Sequence, residues 1–255
     1  MRIIAGLALA AGLLLGSSAV AAERGFEDAV NKAGRQRMLS QRIVKAYCQL
    51  GLNVLPKASD AQLRDAVDLF ARQLAELKIR APNAQTGSAL DALERAWQPF
   101  RAVALEPVAH ARASRLHRLD ADVLAAADAV TRRFEAVATP AGRLVNLSGR
   151  QRMLSQRLAK LYMLRGWNVD GPRVGAEIDA ARREFSSALR TLREAPENTP
   201  AIDRELGVVV LQWEWFENAL ALEGAYGYTL IVASASESIL NSMDRITQLY
   251  EAVGR

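Results

Sequence analysis

The peptide GRQRMLSQR stands at residues 34–42 and again, unchanged, at residues 149–157. Two identical nonapeptides 115 positions apart leave few architectures open, because self-similarity at a fixed period marks a chain built from repeated structural units. The match spreads outward from both copies. NKAGRQRMLSQRIVKAYCQLGLNV, residues 31–54, and NLSGRQRMLSQRLAKLYMLRGWNV, residues 146–169, share fifteen of 24 positions. Phe70, Leu74, Leu77 and Asn83 keep the same register with Phe185, Leu189, Leu192 and Asn198. One inserted residue changes the offset to 116, after which Trp97 and Phe100 align with Trp213 and Phe216. Phe134-Glu135-Ala136-Val137 then aligns with Tyr250-Glu251-Ala252-Val253. The chain is a tandem duplication.

Turn residues divide each unit into four segments. Breakers fall at 51–59, 81–88, Glu106-Pro107 and 139–142, and in the second copy at 170–172 and 195–200, with Gly224 and Gly227 further on. Between them apolar residues recur every three or four positions, as in Leu63, Val67, Phe70, Leu74 and Leu77, or Val123, Ala127, Val130, Phe134 and Val137. No segment alternates like a half-buried strand. The expectation is an all-α fold of two tandem antiparallel four-helix bundles related by a pseudo-two-fold. The units are placed at 23–138 and 139–255. Pro99 falls inside the third helix, where loss of a backbone donor predicts a kink, and the four tryptophans are expected in helix packing.

Residues 1–22 read differently. Arg2, an apolar run from Ile3 to Leu15 and the small residues Ala19-Val20-Ala21 form a secretory signal peptide, cleaved near Ala21–Glu23, which predicts a periplasmic protein. Net charge is +5, but export argues against a nucleic-acid partner. Cys48 is the single cysteine, so no intrachain disulfide forms. His110 and His117 have no partner pattern for a metal, and Ser40 and Ser155 have no histidine in the motif, so neither a cofactor nor an enzymatic activity is expected.

On a helical wheel Leu39, Ile43, Ala46 and Leu50 form the stripe facing the unit's own core. The opposite side carries Gly34, Arg37, Met38, Gln41, Lys45 and Cys48, matched by Gly149, Arg152, Met153, Gln156, Lys160 and Met163. Glycine within a helix costs about 1 kcal/mol against alanine, so its presence in both copies predicts close approach of a backbone or a ligand. Three readings of this face stand open. It is solvated; its arginines pair with acids of their own bundle; or the two copies face each other, as the two halves of a homodimer interface do. In the last case two arginines about 6 Å apart repel by roughly 2 to 3 kcal/mol at an effective dielectric near 20. A trigonal oxyanion held between the guanidinium forks would relieve that repulsion.

N-x-x-G-R-Q-R-M-L-S-Q-R at the start of a four-helix unit resembles the PilJ/NarX-type periplasmic sensor domain of nitrate/nitrite sensor kinases and type IV pilus chemoreceptors. In that family this stretch is the P-box, on the first helix of the bundle, and paired P-box helices hold nitrate. The resemblance implies Arg37 and Arg152 as ligand-binding residues with Gly34 and Gly149 beside the ligand, and Arg42 and Arg157 in supporting positions. Met38, Met153, Gln41 and Gln156 fall on the same interface, and Lys32 matches a basic position that is Leu147 in the second copy. Arg35, Gln36, Arg150 and Gln151 depart from the family pattern. No transmembrane or kinase segment follows in this sequence, so the expected report is to a separate protein. The resemblance thus implies a non-enzymatic sensory protein binding nitrate, nitrite or a similar small anion and signalling to a membrane-bound sensor or chemoreceptor. The alternative is an interaction module that docks through the motif face without a small ligand.

Overall fold

The computed structural model describes residues 12–138, 141–222 and 226–253. Residues 1–11 of the expected leader lie outside the described residues, as does Gly224. Eight helices follow one another among them: α1 (Gly12–Gly51), α2 (Pro56–Ile79), α3 (Ala84–Ala104), α4 (His110–Glu135), α5 (Ala141–Gly166), α6 (Gly171–Arg193), α7 (Pro200–Ala221) and α8 (Tyr226–Val253). Among the described residues, each breaker read from the sequence sits at or beside a helix end. α3 runs on through Pro99.

The single-residue offset between the copies has a local cause. Asn83 caps α3, its side chain accepting from the Thr86 amide at 2.9 Å. The matching Asn198 instead accepts a hydrogen bond from Tyr250 Oη at 2.6 Å, and the next residue, Thr199, caps α7. The inserted residue is therefore absorbed at the helix entrance, and the helix behind it keeps its register. The turns after α1 and α5 also repeat: Asn53 and Leu55 adopt φ of 55° and 46°, Asn168 and Asp170 φ of 56° and 52°.

In each unit the first helix packs on the second and fourth, and the third on the fourth. The same aromatic pair fills each core. Trp97 stacks on Phe70 at 3.9 Å between ring centroids, and Trp213 on Phe185 at 4.1 Å. Each such buried aromatic contributes roughly 1.5 to 3 kcal/mol through removal of apolar surface from water. Trp215 departs from the core expectation: it is 73% exposed on α7.

The most extensive helix contact in the chain is between the units, α1 against α5. The two lie parallel. At one end Gly51 sits beneath the Trp167 ring, where a Cβ would come within 2.1 Å, and Gly166 lies over Leu52. At the other end Asn31 meets Arg152, and Asn146 meets Arg37. A parallel pair of equivalent helices, each backed by its own bundle, is a two-fold arrangement within one chain. Among the described residues no helix is long and apolar enough to cross a membrane.

Candidate functional site

The repeated peptides occupy the middle of α1 and α5, and there both helices are buried on nearly every side. From Gln36 to Gln49 only Arg42 keeps partial exposure, and from Gln151 to Leu164 only Arg157. The face opposite each core stripe is thus neither solvated nor open to a docking partner. It is the seam between the units.

Arg37 and Arg152 are among the largest fully buried side chains of the protein, and each is held by the same set of partners. Arg37 Nη1 donates to Asp128 Oδ1 of α4 at 2.9 Å, and Nη2 donates to Asn146 Oδ1 of the other unit at 2.6 Å. Arg152 Nη1 donates to Asp244 Oδ1 of α8 at 2.5 Å, and Nη2 to Asn31 Oδ1 at 2.5 Å. The asparagines are themselves fixed across the seam, since Asn31 donates to Glu251 at 2.6 Å and Asn146 to Glu135 at 2.7 Å. Each arginine therefore ties an acid of its own bundle to the first helix of the other. The departures at 35 and 150 strengthen the same knot, with Arg35 lying 3.2 Å from Asp244 and Arg150 3.7 Å from Asp128.

Two features of the motif follow from this geometry. The glycines do not make room for a second backbone; a Cβ on Gly34 would stand 3.3 Å from Arg37 Nη2, and one on Gly149 3.1 Å from Arg152 Nη2. The Gly-x-x-Arg spacing lets the guanidinium fold back over its own helix one turn earlier. Nor does mutual repulsion between the arginines call for an outside anion, because each charge is met by an aspartate. Burial lowers the Arg152 pKa to about 10 against the pull of Asp244. Burial also lowers that of Arg37, with Asp128 opposing. Burial pushes the Asp244 carboxyl up, but Arg152 and Arg35 outweigh it and hold the group below its ordinary value. In both arginines Nε has no hydrogen-bond partner among the described residues.

Further along the seam the two copies diverge. Lys160 Nζ lies 2.8 Å from Asp120 Oδ2 of α4, both side chains almost fully buried. The matching Lys45 is 2.5 Å from Glu237 of α8, which also holds Arg42 at 2.7 Å. Gln41 donates to Asp120 at 2.8 Å, whereas Gln156 reaches the Ser236 carbonyl at 3.0 Å. Met38 and Met153 are buried beside these groups, and Arg157 pairs with Glu177 of α6 at 3.3 Å. Lys32 turns away from the seam to Asp28 and Glu76, at 3.1 and 2.9 Å.

The residues that sequence reasoning passed over are the acids on the fourth helices. Asp128 and Asp244 match at offset 116, as do Glu135 and Glu251, so the repeat register already marked them. They lie far from the motif in sequence, beyond the reach of its helical periodicity.

The family described as "Type IV pili methyl-accepting chemotaxis transducer N-term" matches residues 19–122 and again 136–249. The chain belongs to this family, a sensory and signalling one, and carries its domain as a tandem duplication. Comparison with curated proteins and with solved structures gives no match.

Proposed function

We propose that this chain is a non-enzymatic sensory module in which one polypeptide supplies both halves of a receptor-type interface, and that its signal is a shift of α1 against α5. The observation that carries this reading is the reciprocal pair of latches, Arg37–Asp128–Asn146 and Arg152–Asp244–Asn31. A packed seam tied by two equivalent polar knots has few intermediate arrangements, which favours switching between discrete states. Export to the periplasm, proposed from the leader, agrees with the typical location of the family's sensor domains.

The nitrate or nitrite implied by the resemblance takes a conditional form. A carboxylate is a trigonal-carbon anion that offers oxygens to the same guanidinium fork as nitrate does. Asp128 and Asp244 stand as internal substitutes for such a ligand, and an oxyanion enters only by displacing one of them. Calorimetry and thermal denaturation with nitrate and nitrite test this. The wild type is expected to show no saturable response at millimolar anion. Asp128→Ala and Asp244→Ala, which strand a buried guanidinium, are expected to be destabilised and then restored by nitrate. Saturable binding to the wild type, lost in Arg37→Ala and Arg152→Ala, would instead support an ordinary oxyanion clamp. No anion response in either aspartate variant would leave the latches a purely structural role.

A second reading rests on a different surface. The family's chemoreceptor domains work with membrane-associated signalling components. The motif face is buried, but α7 presents Val208, Leu211 and Trp215, at 42%, 64% and 73% exposure, along one face. The matching residues of the first unit are Ala92, Arg95 and Pro99. Photo-crosslinking from position 215 in cells should capture a membrane-associated partner that position 95 does not. Equal capture from both positions would remove this reading.

A further inference from the structure

Beside the seam lies a cleft of about 440 Å³ between α4 of the first unit and α5 and α6 of the second. Its volume falls within the range of small-molecule sites. Ala121, Leu124 and Ala125 of α4 and the buried Met153 of α5 give it an apolar side, and Arg37 and Asp128 reach its inner end. The lining holds six arginines and lysines against four aspartates and glutamates, two positive charges in excess.

The pseudo-two-fold provides a comparison for this cleft within the same molecule. Its counterpart, between α8, α1 and α2, is smaller, at about 310 Å³. At offset 116 Ala121 corresponds to Glu237 and Ala125 to Asn241. Glu237 puts a carboxylate between Arg42 and Lys45, at 2.7 and 2.5 Å. In the larger cleft that carboxylate is replaced by a methyl group. Arg157, the match of Arg42, is left with Glu177 at 3.3 Å, and its Nε is buried without a partner. Two further arginines stand at the rim, Arg118, whose Nη1 donates to Ser114 Oγ at 2.6 Å, and Arg173, and neither is in an ion pair among the described residues.

From this asymmetry we propose that the α4/α5/α6 cleft is a binding site for a small organic carboxylate. Its head occupies the place that Glu237 fills on the other side, facing Arg157 with Arg118 or Arg173 above it, and its apolar body lies on Met153, Leu124 and Ala121. Arginine forks suit a carboxylate head, and the apolar wall separates such a ligand from an inorganic anion, which has nothing to place there. Because Arg37 and Asp128 line the inner end, an occupant bears directly on one of the two latches. The site extends the reading given above without depending on it, since the cleft can bind whether or not the latches switch.

Ala121→Glu supplies the missing carboxylate from the chain itself. The variant is expected to raise the melting temperature and to abolish carboxylate binding. Thermal denaturation and calorimetry of the wild type with benzoate, hexanoate and succinate, at constant ionic strength against sodium nitrate, should show saturable stabilisation by at least one carboxylate and none by nitrate. Arg157→Met should weaken that binding by about tenfold or more, the loss expected for a charge-assisted hydrogen bond. The proposal is overturned if none of the three carboxylates stabilises the wild type, or if their effect survives in Ala121→Glu. A lowered melting temperature in that variant overturns it as well, because this readout needs no ligand. These outcomes are independent of the nitrate response of Asp128→Ala and Asp244→Ala, so failure of one idea does not disguise failure of the other.

Discussion

Lys160 and Asp120 form the most deeply buried ion pair of the seam, joining α5 of one unit to α4 of the other. Nζ and Oδ2 are 2.8 Å apart, and the side chains are 3% and 2% exposed. At an effective dielectric near 20, opposite charges at that separation attract by about 6 kcal/mol. Removing each ion from water costs several kcal/mol, so the intact pair adds little net stability. Breaking it is another matter. Asp120→Asn leaves the ammonium buried with a single neutral oxygen, and that oxygen must also serve Gln41, whose Nε2 reaches both carboxylate oxygens at 2.8 and 3.0 Å. The expected cost is about 3 to 5 kcal/mol. Lys160→Met leaves the carboxylate with the Gln41 donor and should cost somewhat less, about 2 to 4 kcal/mol. The double variant Asp120→Leu with Lys160→Met buries no charge and loses only the Gln41 hydrogen bonds. It should fall within about 2 kcal/mol of the wild type. Urea unfolding followed by circular dichroism at 222 nm measures all four proteins, provided the transitions stay two-state. Single costs under about 1 kcal/mol, or a double variant as unstable as the sum of the singles, would refute the account of the seam as a buried polar network.

Three further outcomes follow from local geometry. Gly51→Ala puts a methyl group 2.1 Å from the Trp167 ring and should destabilise by about 1 to 3 kcal/mol in the same assay, with Trp167→Leu, the residue type at the matching position 52, restoring most of the loss. Leu55 holds a left-handed conformation at φ 46°, so Leu55→Asn should raise the urea midpoint by an amount equivalent to about 0.5 to 1 kcal/mol. Burial lowers the Lys45 pKa from 10.5 to about 8, with Glu237 pulling the other way. Between those values the unfolded chain binds the extra proton, so wild-type stability relative to Lys45→Met should climb with pH from about 8, by up to about 3 kcal/mol, and level off near 10.5. A flat or falling difference across that range would contradict the depressed value.

Much of the architecture can be read from residue order alone. The duplicated GRQRMLSQR peptide, the continuing register of Phe70 with Phe185 and Trp97 with Trp213, and the turn residues between them specify eight helices in two equivalent units. Helical periodicity also separates the Leu39–Ile43–Ala46 stripe from the Arg37–Gln41–Lys45 face. What periodicity cannot name is the occupant of the space opposite a face. Whether Arg37 meets water, an anion or an acid depends on how a third and a fourth helix pack against the first. The answer, Asp128, lies 91 residues away, and for Arg152 it is Asp244, 92 residues away. The same holds for Gly34, whose neighbour is the guanidinium of its own helix, and for Trp215, which the core leaves outside. It holds also for Ala121, unremarkable in sequence until the tertiary structure sets it opposite Glu237 across the pseudo-two-fold. Sequence determined the units and the buried faces because both follow from local spacing and from the repeat. Tertiary structure decided the partners, because a buried charge is matched by whichever group the packing of distant helices brings within hydrogen-bond reach.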